Sequence, residues 1–184
     1  MSKGAADGMP RIDVLFSAAE IGDRLGALAR EIVADFGPDF LIVPVLKGSF
    51  IFAADLVRAL HFAGANPRVD FLSLASYGAA TSSSGKIEVL RDLEADVSAD
   101  KVLLIDDILE SGRTLEFAAG LLTGRGAAKV ASCVLLDKPG KRAASFQADY
   151  VGFECPDKFV VGYGMDVGHA FRELPFVGIV TGDV

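Results

Sequence analysis

Val102-Leu-Leu-Ile-Asp106-Asp107-Ile-Leu-Glu110-Ser111-Gly112-Arg113-Thr114-Leu115 is the stretch on which the fold turns. Four apolar residues run into two adjacent carboxylates, a third acid follows, and a Ser-Gly-Arg-Thr segment opens a stretch of helical apolar spacing. The physical reading is a buried strand that delivers acids to its carboxyl end, then a small-residue loop leading into a helix N-terminus. Such a terminus leaves backbone N–H groups unpaired and carries partial positive charge, so it holds phosphate well. Acids beside an anion cradle point to a ligand with both hydroxyls and phosphate, and to a divalent cation between the like charges.

Working outward, Ser17-Ala-Ala-Glu20 is a capping box, and Ile21, Leu25, Leu28, Ile32 and Val33 continue at helical spacing to Gly37-Pro38. Phe40–Leu46 is a continuous apolar run with β-branched residues and reads as a buried strand. Lys47-Gly48-Ser49 interrupts it, and Phe50–Ala63 resumes as a helix. Val69–Leu74 reads as a strand, Ala79–Gly85 as the most loop-like segment, and Ile87–Leu90 as a short returning strand. Lys101–Ile105, Val130–Leu136, Tyr150–Phe153, Phe159–Val161 and Phe176–Val180 are further strands, and Thr114–Thr123 is a helix ended by Gly124 and Gly126. Strands alternating with helices imply an α/β fold with a doubly wound, largely parallel sheet, whose ligands sit at the carboxyl ends of the strands. A single domain over 1–184 is expected, with residues 1–10 as a loose tail, 76–90 as a mobile lid, and flanking segments forming a small hood.

Length and charge narrow the function classes. The 184 residues are 51% hydrophobic and 23% charged, enough for an unstapled globular core. A net charge of −7 disfavours long phosphate polymers, so nucleic acid is not an expected partner. Cys133 and Cys155 form no CxxC pair and read as reduced buried thiols. Asp7, Arg11 and Asp13 stand where a secretory leader needs its apolar stretch, and no apolar run approaches a membrane span. A soluble chain in the cytoplasm is expected, with no membrane partner. There is no Walker loop, and Val167 stands where a dinucleotide fingerprint beginning at Gly162 and Gly164 needs its third glycine. His61 and His169 have neither zinc spacing nor a nucleophile nearby.

Val102–Leu115 resembles the phosphoribosyl-pyrophosphate (PRPP) signature of type I phosphoribosyltransferases. Val45-Leu-Lys47-Gly48-Ser49, Ser76-Tyr77-Gly78, Leu136-Asp-Lys138, and Pro156-Asp-Lys-Phe159-Val160-Val-Gly-Tyr163-Gly-Met-Asp166 with Phe171-Arg172 narrow it to the 6-oxopurine, hypoxanthine-guanine branch. The resemblance spans about Asp39 to Val180 and implies Mg2+-dependent transfer of the phosphoribosyl group from PRPP to hypoxanthine or guanine. It implies that Asp106 and Asp107 accept from the ribose hydroxyls, and that Glu110, Ser111, Gly112, Arg113 and Thr114 cradle the 5′-phosphate. Arg113 is open between a phosphate contact and plain exposed charge. Lys47, Gly48 and Arg172 would meet pyrophosphate; relatives often show a cis peptide at the first two, which the sequence does not establish. Lys138 would donate to O6, Phe159 would stack on the base, and the carbonyls of Val160 and Asp166 would meet its 2-position. Asp166 would be the metal-linked carboxylate, with Asp106 and Asp107 acting indirectly, and Ser76 and Tyr77 would arrive with the lid.

Glu110 departs from the family. Aspartate is usual there, near N7 of the purine, as a proposed general base, and glutamate is longer by one methylene. A homodimer or homotetramer is expected from relatives. The rival readings are a xanthine-preferring transferase, an RNA-binding pyrimidine-operon regulator that shares the PRPP signature, and a phosphoacceptor receiver domain. The regulator would lack the Lys138 and Phe159–Asp166 pattern. A receiver carries its acid pair after the first strand and would leave the phosphate loop unexplained.

Overall fold

The structure is a computed structural model and describes residues 11–76 and 87–181. In chain order its elements are β1 (Arg11–Phe16), α1 (Ala18–Phe36), β2 (Leu41–Leu46), α2 (Phe50–Phe62), β3 (Arg68–Val69), β4 (Leu72–Ser76), β5 (Ile87–Arg91), β6 (Lys101–Leu109), α3 (Arg113–Gly124), β7 (Lys129–Asp137), β8 (Tyr150–Glu154), β9 (Val160–Val161) and β10 (Val177–Thr181). One turn of 3-10 helix, Pro139–Lys141, lies between β7 and β8.

The main sheet runs β5-β4-β2-β6-β7-β8, with β3 also paired to β2; all pairings are parallel except β4 with β5. Both faces are covered, as parallel sheets require, and the strand residues divide by the two-residue period of a pleated strand. Ile42, Leu103, Ile105, Ala131, Cys133 and Leu135 join the core that contains the buried stripes of α1 and α2. Their neighbours Leu41, Val43, Val45, Val102, Leu104 and Val134 join the core on the other face, with Leu115, Ala118 and Leu122 of α3. That two-sided burial is why these strands read as continuous apolar runs. The capping box of α1 is formed: the Ser17 amide donates to Glu20 Oε2 at 2.8 Å, and Ser17 Oγ accepts from the Glu20 amide at 3.3 Å.

The expected hood is a second, three-stranded antiparallel sheet, β1-β10-β9. Phe16 stacks on Phe153 of β8 with ring centroids 4.3 Å apart, which ties the hood to the edge of the main sheet.

Two expectations need correction. The strand expected over Val69–Leu74 is broken between β3 and β4. There the Asp70 carboxylate accepts from the amides of Phe71, Glu94 and Ala95, so the chain bends to serve a loop 24 residues away. The strand expected to stop at Ile105 continues to Leu109, because its ladder to β7 carries on through Ile108–Leu136 and Leu109–Asp137. Asp106 and Asp107 therefore lie inside a strand, not beyond its end. Of the segment expected as a lid, 76–90, Ser76 closes β4 and Ile87–Leu90 fall in β5. Tyr77, the hydroxyl-rich stretch and the expected tail over 1–10 lie outside the described residues. Among the described residues no helix is long and apolar enough to cross a membrane.

Candidate active site

The carboxyl ends of β2, β6 and β7 open into two adjoining cavities that share Asp107, Ile108 and Glu110. The first, about 310 Å3, is lined by Lys47 and Gly48 after β2, Asp106 and Asp107 of β6, and Ser111, Gly112 and Thr114 at the start of α3. The second is lined by Lys138, Lys141, Asp157, Phe159, Val160, Met165 and Asp166.

In the first cavity, α3 starts at a glycine in the left-handed region (Gly112, φ 82°), with no side chain capping the helix. A Cβ on Gly112 would press on Arg142 and Phe146 at 3.3 Å. The first helical bond runs from the Glu116 amide to Gly112 O, so the amides before it have no backbone acceptor and face an anion site, the Arg113 amide making only a long 3.4 Å bond to Ser111 Oγ. The Arg113 side chain is exposed and does not line the cavity. Across the cavity, Gly48 lies against Asp107: a Cβ there would fall 1.8 Å from Asp107 Oδ2. The cis peptide is Leu46–Lys47, one bond before the Lys47–Gly48 step. Burial pushes the Asp106 carboxyl well above its usual range, and the neighbouring Asp107 charge adds to the shift. Asp107 is also raised by burial, with Arg172 opposing.

In the second cavity, the parallel register of β6 and β7 sets Leu109 beside Asp137 and so brings the next residues, Glu110 and Lys138, together. Lys138 is buried, not a surface lysine in a turn; its amide donates to Leu109 O and its Nζ donates to Glu110 Oε1 at 2.9 Å. That bond, with the charges of Lys138 and Lys141, holds the Glu110 carboxyl below its usual range. Phe159 stands 54% exposed at the rim, as an aromatic surface open to a flat ligand would. Asp166 Oδ1 pairs with Arg172 Nη2 at 2.6 Å, and its Oδ2 accepts from the His169 amide. Arg172 also donates to Gly164 O, so the two residues brace the loop between β9 and β10.

Of the residues named from sequence, Lys47, Gly48, Asp106, Asp107, Glu110, Ser111, Gly112 and Thr114 meet in one cavity, and Lys138, Phe159, Val160 and Asp166 in the other. Ser76 ends β4, while Tyr77 is outside the described residues. Lys141 and Asp157 line the second cavity without having been singled out. No motif marked Lys141: its place depends on the 3-10 turn Pro139–Lys141, entered from Lys138 with non-helical backbone angles (φ −113°, ψ 88°).

A phosphoribosyl transferase domain model matches residues 13–167. Hypoxanthine phosphoribosyltransferase of Escherichia coli (strain K12) is 38% identical over 172 residues, covering 92% of this chain and 95% of that protein. Hypoxanthine-guanine phosphoribosyltransferase of Dictyostelium discoideum is 39% identical over 168 residues, 90% and 93% of the respective chains. Among solved structures, a hypoxanthine-guanine phosphoribosyltransferase from Bacillus anthracis, with a HEPES molecule in its active site, superposes with a TM-score of 0.87 at 37% identity, covering 94% of this chain and all of that one.

Proposed function

This chain belongs to the phosphoribosyl transferase family, and from that premise we propose how its two cavities divide the work. The enzyme transfers the 5-phosphoribosyl group of PRPP to N9 of hypoxanthine or guanine and releases pyrophosphate, a purine-salvage reaction. One observation carries the assignment of the base site: Glu110 and Lys138, an acceptor and a buried donor 2.9 Å apart on adjacent strand ends. A 6-oxopurine with its proton on N7 presents the complementary pair, an N–H beside the O6 acceptor. That tautomer leaves the lone pair on N9 free to attack, so the same contacts that select the base also select the atom that reacts. Glu110 is ionised at neutral pH and acts as the acceptor for the N7 proton as N9 bonds to C1′. Phe159 stacks on the ring, and the carbonyls of Val160 and Asp166 meet its 2-position.

In the other cavity, Asp106 and Asp107 accept from the ribose hydroxyls, while the amides from Ser111 to Thr114 and the hydroxyls of Ser111 and Thr114 bind the 5′-phosphate. Lys47, the Gly48 backbone and Arg172 receive pyrophosphate. Among the described residues no three His, Cys, Asp or Glu side chains could close around a metal. That suits Mg2+, which keeps waters and substrate phosphate oxygens and needs only one or two protein carboxylates. Asp166 is the carboxylate that would hold it, with Asp106 and Asp107 acting indirectly. When bound, the ion supplies charge to the departing oxygens.

The buried free thiols Cys133 and Cys155 support a reducing cytoplasm as the compartment. Assembly into a homodimer or homotetramer belongs to the same reading, by analogy with relatives.

The test is pyrophosphate release from PRPP and Mg2+ with hypoxanthine, guanine, xanthine, adenine or uracil. Turnover is expected with the 6-oxopurines, and silence with all of them would sink the assignment. For the base, Glu110→Gln is expected to lower kcat steeply, and full kcat across pH would remove Glu110 from that role.

A further inference from the structure

Glu110 and Lys138 are half of a larger array. Lys138 Nζ stands 2.9 Å from Glu110 Oε1 and 3.7 Å from Asp157 Oδ1. Lys141 Nζ stands 3.5 Å from the same Glu110 oxygen and 3.0 Å from the same Asp157 oxygen. Four charges of alternating sign thus close a ring across three segments: the end of β6, the 3-10 turn after β7, and the loop before β9. All four residues line the cavity that holds Phe159 and Val160.

The geometry divides labour between the two oxygens of Glu110. Both lysines are paired to Oε1, and the Lys138 hydrogen bond falls on that oxygen, so Oε2 is the oxygen less committed to them. A glutamate side chain has one more rotatable bond than an aspartate, and a single ion pair leaves its carboxylate free to swing about that contact. A second cation on the same oxygen removes the freedom. Asp157 in turn offsets the repulsion that would drive the two ammonium groups apart. Lys138 has three protons, enough for Glu110, Asp157 and a substrate oxygen together.

We propose that Lys141, seated by Asp157, is a positioning residue that holds Glu110 by Oε1 and so presents Oε2 to the N7–H of the incoming purine. This rests on the reading of Glu110 as the acceptor at the base edge. The side chains of Lys141 and Asp157 are 57% and 55% exposed, so their pairing adds little to stability. Its effect falls on turnover, not on melting temperature.

A double-mutant cycle tests it, with steady-state pyrophosphate release from hypoxanthine as the readout. Lys141→Gln is expected to lower kcat about fivefold while the KM for PRPP stays within about twofold and Tm is unchanged. Lys141→Arg restores most of the loss. In a Glu110→Asp background the carboxylate is drawn one carbon back from Lys141, and there Lys141→Gln costs nothing further. An equal loss in both backgrounds, or no loss in the single variant, overturns the proposal. Glu110→Gln separates the two levels: if it keeps full kcat, the reading of Glu110 fails. If it loses kcat while the cycle is additive, only the role of Lys141 fails.

Discussion

Replacing Lys138 with glutamine should change which purines the enzyme accepts. Lys138 is 6% exposed, so a base that fills its cavity shuts solvent from it, and whatever occupies the 6-position must satisfy its third proton. Hypoxanthine offers O6. Adenine offers an amino group, so donor would face donor. The lost charge-assisted bond is worth about 1.5–3 kcal/mol and the two stranded donors about 2–4 kcal/mol, together about 4–7 kcal/mol. At about 1.4 kcal/mol per decade this is a preference of about a thousandfold to a hundred-thousandfold in kcat/KM. A glutamine amide can turn either its N–H or its carbonyl toward the base, so the ratio should collapse to about tenfold. The substitution also strips Glu110 of its 2.9 Å partner, and turnover of both bases will fall. That damage is common to the two substrates and cancels in the ratio, which isolates the 6-position. The assay is pyrophosphate release with each base at saturating PRPP and Mg2+. A hypoxanthine-to-adenine ratio within about threefold of the unsubstituted enzyme would refute the contact with O6.

Three further outcomes follow from the same geometry. Gly48→Ala places a methyl 1.8 Å from Asp107 Oδ2, so the loop after β2 must shift; a loss of about 1–3 kcal/mol in urea unfolding and a raised KM for PRPP are expected, and an unchanged KM would detach this loop from PRPP. Asp106→Asn should abolish turnover yet raise Tm at pH 8 in Mg2+-free buffer. Burial and Asp107 raise the folded carboxyl above its unfolded value, so the native state takes up a proton first as pH falls, and the charged form is the one that destabilises. The Tm gain should therefore shrink as the pH drops towards the unfolded carboxylate range, and a lower Tm at pH 8 would contradict it. Tyr163→Phe removes a 2.6 Å bond from the buried phenol to Asp55 of α2, and about 1–2 kcal/mol of unfolding free energy should go with it; an unchanged urea midpoint would show the bond to be idle.

How much of this was legible in the sequence depended on how local the cause was. The parallel core was, because burial on both faces prints strands as continuous apolar runs, and the start of α1 was, because its capping box closes within four residues. β1 was not assigned, since its register partner is β10 at the far end of the chain, Arg11 opposite Thr181. The break at Asp70 was hidden for the same reason. In the site, the resemblance supplied Glu110 and Lys138 as separate residues with separate tasks, but their pairing depends on the β6–β7 register, which no motif states.

That register also changes the meaning of the one departure from the family pattern. Taken as a motif, a glutamate in place of aspartate is a carboxylate displaced from its target by a methylene. In the fold, the methylene is what lets the carboxylate meet two ammonium groups, Lys138 from β7 and Lys141 from the turn beyond it. A longer side chain is a poorer base only if it is loose. Here the neighbouring strand provides the first restraint, and the 3-10 turn that follows it carries the second. Glu110 and Lys141 are therefore best understood as one device, and exchanging the glutamate for aspartate should leave Lys141 without effect on turnover.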